Sequence, residues 1–158
     1  RDLVGEARAY VPLSRRVLLA FRLFAARSDG TAPNVYYFGG LDTLRGYDYR
    51  TLIGNRIFYL NSEFRFPLVD VLAVPFLPTF QGIRGRVFLD VGGAWLAGQS
   101  FQFWNGDTNS LENGVSSYGV GLTAYLFGLP FNLDFARPWD FKHSLGPLQT
   151  TFYIGYSF

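Results

Sequence analysis

Catalysis needs ionisable or nucleophilic groups at usable spacing, and this 158-residue chain holds few of them. His143 is the single histidine, and there is no cysteine. Neither a catalytic triad nor a multi-histidine metal site can be built from it alone. His143 follows Lys142 in a stretch that ends in Gly146-Pro147, so it reads as an exposed loop residue. Asp107 and Glu112 share a polar segment, where carboxylates more often solvate a loop than bind Ca²⁺. Gly39-Gly40 and Gly92-Gly93 lack the strand–loop–helix context of a phosphate loop. The reading is therefore of a protein that is not an enzyme, with no metal and no cofactor. What remains is sparse charge inside otherwise apolar segments: Glu63, Arg65, Arg86, Asp90 and Asp134. Such groups offer ion pairing, a means of fixing structure.

The elements that carry these charges are strands. Residues alternate with period two, the strand signature. Phe152, Ile154, Tyr156 and Phe158 alternate with Thr151, Tyr153, Gly155 and Ser157. Phe58, Leu60, Phe64 and Phe66 oppose Tyr59, Asn61, Glu63 and Arg65. Val87, Leu89 and Val91 oppose Arg86, Phe88, Asp90 and Gly92, so Glu63 and Asp90 both fall on polar faces. Seven strands are expected, at about 3–11, 15–27, 55–66, 84–95, 117–126, 130–137 and 149–158. Most approach the roughly 9–11 residues that a tilted strand needs to cross a bilayer.

Hydrophobic residues make up 49%, aromatics 19% and charged residues 16%, against about 25% charged in average soluble domains. No apolar run is long enough for a transmembrane helix. The net charge of +2, without a polybasic run, argues against nucleic acid as a partner. Connections are tight at 12–14 and 127–129 but long at 28–54, 96–116 and 138–148. Outer-membrane barrels have that asymmetry, with short periplasmic turns and long outer loops. Residues 67–83 break the rule, being long and apolar on the periplasmic side, and are expected along the membrane interface. Alternation alone fits a soluble sandwich as well. Loop lengths, aromatic content and the terminal Phe158 favour the membrane barrel.

An ordered set of motifs sharpens this. Gly39-Gly40-Leu41-Asp42-Thr43-Leu44-Arg45-Gly46-Tyr47 is followed by Asn61-Ser62-Glu63-Phe64-Arg65 and then by Phe88-Leu89-Asp90-Val91-Gly92. Gly119-Val120-Gly121, Ala136-Arg137-Pro138 and the terminal Phe158 come after. The series resembles the BamA/TamA-type outer-membrane assembly factors, the bacterial surface antigen superfamily that also includes two-partner secretion transporters. Leu44, Arg45, Gly46 and Tyr47 match its loop motif, and Phe88, Asp90 and Gly92 its strand motif. The resemblance implies that the loop folds into the lumen and that Arg45 meets Asp90, and Glu63 beside it. A guanidinium binds a carboxylate through two parallel hydrogen bonds. It also implies that Phe152, Tyr156 and Phe158 form the C-terminal insertion signal.

The family barrel has sixteen strands, and seven strands in an open sheet leave edges that a membrane does not tolerate. The chain is thus expected to be all-β, the C-terminal half of a transmembrane antiparallel barrel with about seven or eight of probably sixteen strands. The whole of 1–158 would belong to it, with the lumenal loop at about 28–54. The implied role is insertion or translocation of client outer-membrane or secreted proteins in the bacterial outer membrane. Its partners would be the lipid bilayer, the clients, and periplasmic accessory proteins or another chain completing the barrel. Two other readings stay open: a small passive barrel, and a membrane anchor or exporter for an attached domain.

Overall fold

In a computed structural model of the chain, residues 1–70, 82–156 and 158 are described. Seven long strands carry the fold: β1 (Asp2–Pro12), β2 (Leu18–Ser28), β5 (Arg56–Val69), β6 (Ile83–Trp95), β9 (Val115–Leu126), β10 (Leu129–Trp139) and β11 (Gln149–Ile154). Two short hairpins lie in the long connections: β3 (Tyr36–Phe38) with β4 (Leu52–Gly54), and β7 (Trp104–Asn105) with β8 (Ser110–Leu111). The long strands form one antiparallel sheet in the order β1-β2-β5-β6-β9-β10-β11. The fold is all-β, a partial barrel whose sheet is open between β1 and β11.

Local chemistry explains where the strands stop. The first turn is longer than the sequence suggests, because the Ser14 hydroxyl accepts hydrogen bonds from the Arg16 and Val17 amides. That side-chain capture delays β2 to Leu18. The expected strand 55–66 runs on to Val69, with a register shift between Pro67 and Val69. Proline has no N–H for the ladder, so a bulge there is its usual accommodation. The expected interfacial placement of 67–83 concerns chiefly 71–81, which lie outside the described residues. The last strand ends at Ile154 rather than 158, because Gly155 turns the chain at φ +144°. Its amide then bonds the Pro130 carbonyl at 3.0 Å.

The sheet's faces are inverted relative to a soluble protein. Asp90 is 0% exposed and Glu63 1%, while Val120 is 52% and Phe152 61% exposed. In water the apolar row would be buried and the carboxylates would be exposed. A sheet with its apolar face outward and its charges inward has the layout of a membrane barrel wall. The inner face is not uniformly polar, however. Ala26, Phe38, Leu44, Ile57 and Tyr59 form a buried apolar cluster between the β3–β4 connection and the wall. Tyr59 stacks on Phe24 at 5.1 Å and on Phe38 at 5.5 Å between ring centroids.

Candidate functional site

Register builds the site row by row. Across the inner face, Asn61 pairs with Asp90 and Glu63 with Phe88. Phe88 in turn faces Gly119, and Gly119 faces Ala136. One step toward the short turns, Arg65 faces Arg86, Arg86 faces Gly121, and Gly121 faces Asp134. Three carboxylates, a ring and two glycine gaps therefore share one small patch of wall.

The connection between β2 and β5 folds onto this patch. Tyr36–Phe38 pairs with Leu52–Gly54, which brings the ends of the intervening segment together. Gly39 and Gly40 have positive φ, and the Gly40 amide bonds the Leu44 carbonyl at 2.9 Å. Thr43 Oγ1 accepts from the Gly39 amide at 3.0 Å and donates to the Gly40 carbonyl at 2.9 Å. This tight turn aims two neighbours in different directions. Leu44, fully buried, enters the apolar cluster, and Arg45 points at the wall.

The Arg45 guanidinium is 2% exposed, and each of its three nitrogens donates a hydrogen bond. Its Nε donates to Asp90 Oδ2 at 2.7 Å, and its Nη2 to Asp90 Oδ1 at 2.7 Å. Its Nη1 donates to Glu63 Oε1. The guanidinium carbon lies 3.6 Å from the centre of the Phe88 ring. Arginine is always charged and forks onto a carboxylate in one plane, so it suits both contacts at once. The carboxylates have further partners. Asn61 Nδ2 donates to Asp90 Oδ1 at 2.9 Å and to the Thr43 carbonyl at 2.6 Å. Arg65 Nε donates to Glu63 Oε2 at 2.7 Å. A lone buried ion pair barely offsets its desolvation, but one with its remaining lone pairs satisfied holds geometry firmly.

Gly46 and Tyr47 complete the approach. Gly46 has φ +83°, and a Cβ there would stand 3.3 Å from the Ala136 Cβ. The Tyr47 hydroxyl donates to the Ser116 carbonyl at 3.1 Å. Gly92 lies one inner-face position beyond Asp90, and a Cβ there would stand 2.8 Å from the Phe58 carbonyl oxygen. The structure thus brings together Leu44, Arg45, Gly46, Tyr47, Glu63, Phe88, Asp90 and Gly92. It places the C-terminal residues elsewhere. Phe152 and Tyr156 are exposed, Phe152 on the outer face. Phe158 does not continue their row. It is buried, with its ring 5.2 Å from the Arg65 guanidinium carbon and its main-chain oxygen accepting from Arg65 Nη2 at 2.6 Å. The turn at Gly155 ended the alternation that would have carried it outward.

A second polar cluster was not anticipated from the sequence. Arg86 donates through Nε and Nη2 to Asp134 Oδ1 at 2.9 and 2.5 Å, spanning all of β9. Its Nη1 donates to Thr123 Oγ1 at 2.7 Å and to Asn132 Oδ1 at 3.1 Å, and Tyr153 joins through its hydroxyl. The signal in the sequence was Gly119-Val120-Gly121. A Cβ at Gly121 would overlap Asp134 Oδ1 and stand 2.5 Å from Arg86 Nε. One at Gly119 would stand 2.5 Å from the tip of the Phe88 ring. The two glycines are the gaps through which Arg86 and Phe88 lie flat on the wall. Sequence spacing shows two glycines; only the register shows what fills them.

No curated protein and no solved structure matches the chain. The profile of the Omp85 superfamily domain matches residues 3–158. With nearly every residue inside that match, and with the inverted open sheet described above, the chain belongs to the Omp85 superfamily and is a part of a β-barrel of the bacterial outer membrane.

Proposed function

We propose that this chain is the C-terminal part of a barrel that inserts or translocates client proteins, and that its β2–β5 connection is a lumenal loop pinned by Arg45. The observation that carries the reading is the buried Arg45, forked onto Asp90, bonded to Glu63 and stacked on Phe88. A passive barrel or a mere anchor has no need for a long connection folded back and held by buried ion pairs, hydrogen bonds and a ring stack. Membership in a superfamily of assembly and translocation factors supports the same role. The pinned loop braces the wall formed by β5, β6 and β9, while the β11 edge stays lightly held. That edge has six residues in its ladder, against eleven in β10. A short, outward-exposed edge suits temporary pairing with an incoming client strand. The remaining strands of a sixteen-stranded barrel, and any client-binding periplasmic domains, would complete the machine.

The test is client assembly by the full-length protein reconstituted in vesicles. Arg45→Ala is expected to slow folding of a client barrel, or release of a secreted client, at least tenfold. Truncating the outer 97–113 loop, which touches neither carboxylate, is expected to leave the rate within twofold. If the Arg45→Ala protein is folded and assembles clients at the normal rate, the pinned loop has no role in assembly.

A further inference from the structure

The outward face of the long strands is largely apolar, and among the described residues only three of its side chains are charged. Arg27 lies outward on β2, Arg56 on β5 and Arg137 on β10. All three are arginines, and no outward position of these strands carries a carboxylate. All three also lie at one end. Arg27 is one residue from the end of β2, Arg56 begins β5, and Arg137 is two residues from the end of β10. That end carries the long connections and therefore faces the cell exterior. Trp95 and Trp139 close β6 and β10 at the same level, and Trp139 meets Tyr118 edge-on at 5.4 Å. Aromatic residues of this kind mark the depth of the lipid headgroups. A cation in hydrocarbon is costly, but at headgroup depth it meets phosphate.

Arg27 and Arg56 are register partners, and Asp29 bridges them. Arg56 Nη2 lies 2.9 Å from Asp29 Oδ1, and Arg27 Nε bonds Asp29 Oδ2. One carboxylate therefore aligns two cations and leaves one positive charge over. Each guanidinium spends one N–H on Asp29 and has others to give. Below them runs a groove with Gly5 and Ala25 as its floor and Leu3, Phe58 and Trp95 as its walls. Gly5 and Ala25 are register partners, and space around Gly5 is open. The groove thus has an apolar trough at hydrocarbon depth and paired guanidiniums at its outer rim.

We infer that the groove under Arg27 and Arg56 seats one phosphate-bearing lipid of net negative charge in the outer leaflet, its phosphate on the two guanidiniums and an acyl chain along Gly5 and Ala25. Charge complementarity selects the occupant. A zwitterionic or neutral lipid fills the trough equally well but brings no net charge to the rim. Arginine, with its planar fork, is the residue suited to phosphate oxygens. Arg137, three strands further round the wall, repeats the same sign near the same end of the strands. Asp29 opens the β2–β5 connection, but neither the two arginines nor the trough touches Arg45 or its carboxylates, so the seat stands or falls separately from that contact.

The test uses the full-length protein in neutral detergent, titrated with a phosphorylated glycolipid or with phosphatidylcholine, with bound lipid counted by native mass spectrometry. Wild-type protein is expected to retain the phosphorylated lipid about tenfold more strongly than phosphatidylcholine. Arg27→Gln and Arg56→Gln are each expected to weaken that retention about fivefold, the effect of one cation at a membrane surface. Asp29→Asn, which frees the second charge, is expected to strengthen it. Arg15→Gln with Arg16→Gln, in the periplasmic turn, is expected to leave it unchanged. Folding of each variant is checked by heat-modified gel mobility. Should the glutamine variants fail to fold, the Asp29→Asn result alone decides, because it predicts the opposite sign. Equal retention of the two lipids, loss on Asp29→Asn, equal loss in the turn variant, or displacement of the lipid by millimolar inorganic phosphate would each overturn the inference.

Discussion

Replacing Arg45 by alanine removes four interactions at one stroke. The two 2.7 Å bonds to the Asp90 side chain are lost, as are the bond to Glu63 and the stack on Phe88. The carboxylates are not abandoned entirely. Asp90 keeps Asn61 Nδ2 at 2.9 Å and the residue-45 amide at 3.2 Å, and Glu63 keeps Arg65 at 2.7 Å. Removing one partner of a buried pair costs roughly 3–5 kcal/mol, and the surviving partners put this case at about 3 kcal/mol. That loss raises the equilibrium for lifting the loop by roughly a hundredfold. Limited proteolysis by a chymotrypsin-like enzyme reads it directly. Phe38 is buried, so cleavage after it requires lifting, while Tyr49 is exposed and serves as the internal control. With fast reclosing, the rate after Phe38 follows the open fraction and should rise close to a hundredfold. The rate after Tyr49 should change little.

Companion variants locate the energy. Arg45→Lys keeps the charge but loses the fork and the planar stack, and should fall between alanine and wild type. Adding Asp90→Asn to Arg45→Ala should recover part of the loss, because it removes the buried carboxylate left without a cation, while Glu63 keeps Arg65. Exchanging the charges, Arg45→Asp with Asp90→Arg, should recover little, since an aspartate at 45 would face Glu63. A rise of less than threefold after Phe38 in folded Arg45→Ala protein would refute the reasoning that this guanidinium holds the loop.

The glycine gaps give a graded test. Gly121→Ala and Gly119→Ala should each cost about 1–3 kcal/mol through overpacking, seen as earlier loss of heat-modified mobility, whereas Gly5→Ala, in open space, should be near neutral. Arg86→Gln and Asp134→Asn should show a coupling of roughly 1–3 kcal/mol in a double-mutant cycle, and additive effects would mean that the 2.5 Å pair is energetically idle. Outside the strands, the hydrogen bond from the His143 amide, against opposing desolvation and with help from the Lys142 amide, holds the Asp140 carboxyl below its usual value. A depressed carboxylate contributes stability that is present above its unfolded value and is lost as pH falls through the folded one. The His143 amide resonance should therefore titrate below the ordinary value of 3.8, and an inflection at or above that value would exclude these amide bonds to Asp140.

The sequence by itself determined the strand period, the long and short connections, and which residues could share a face. Those properties follow from local rules: successive side chains alternate, and turns need Gly, Pro, Asn or Asp. That Glu63 and Asp90 occupy the same face was legible because each parity is a local property of its own strand. The role of Arg45 was legible only through the ordered motifs, since nothing local aims a loop residue across a barrel wall.

Other features depended on pairing between strands far apart in sequence. The reach of Arg86 across β9 to Asp134 exists because register places Gly121 between them. Phe88 becomes a shelf for Arg45 because the same register opens Gly119 beneath its ring. Phe158 left its expected row because one glycine at φ +144° redirected the chain, a backbone choice that alternation does not encode. The outward arginines are separated by 29 and 81 positions in the chain (27, 56 and 137), yet all three lie at the end of the sheet that carries the long connections. Sequence determines which side of a strand a residue takes; register, a property of two strands, decides what it meets there.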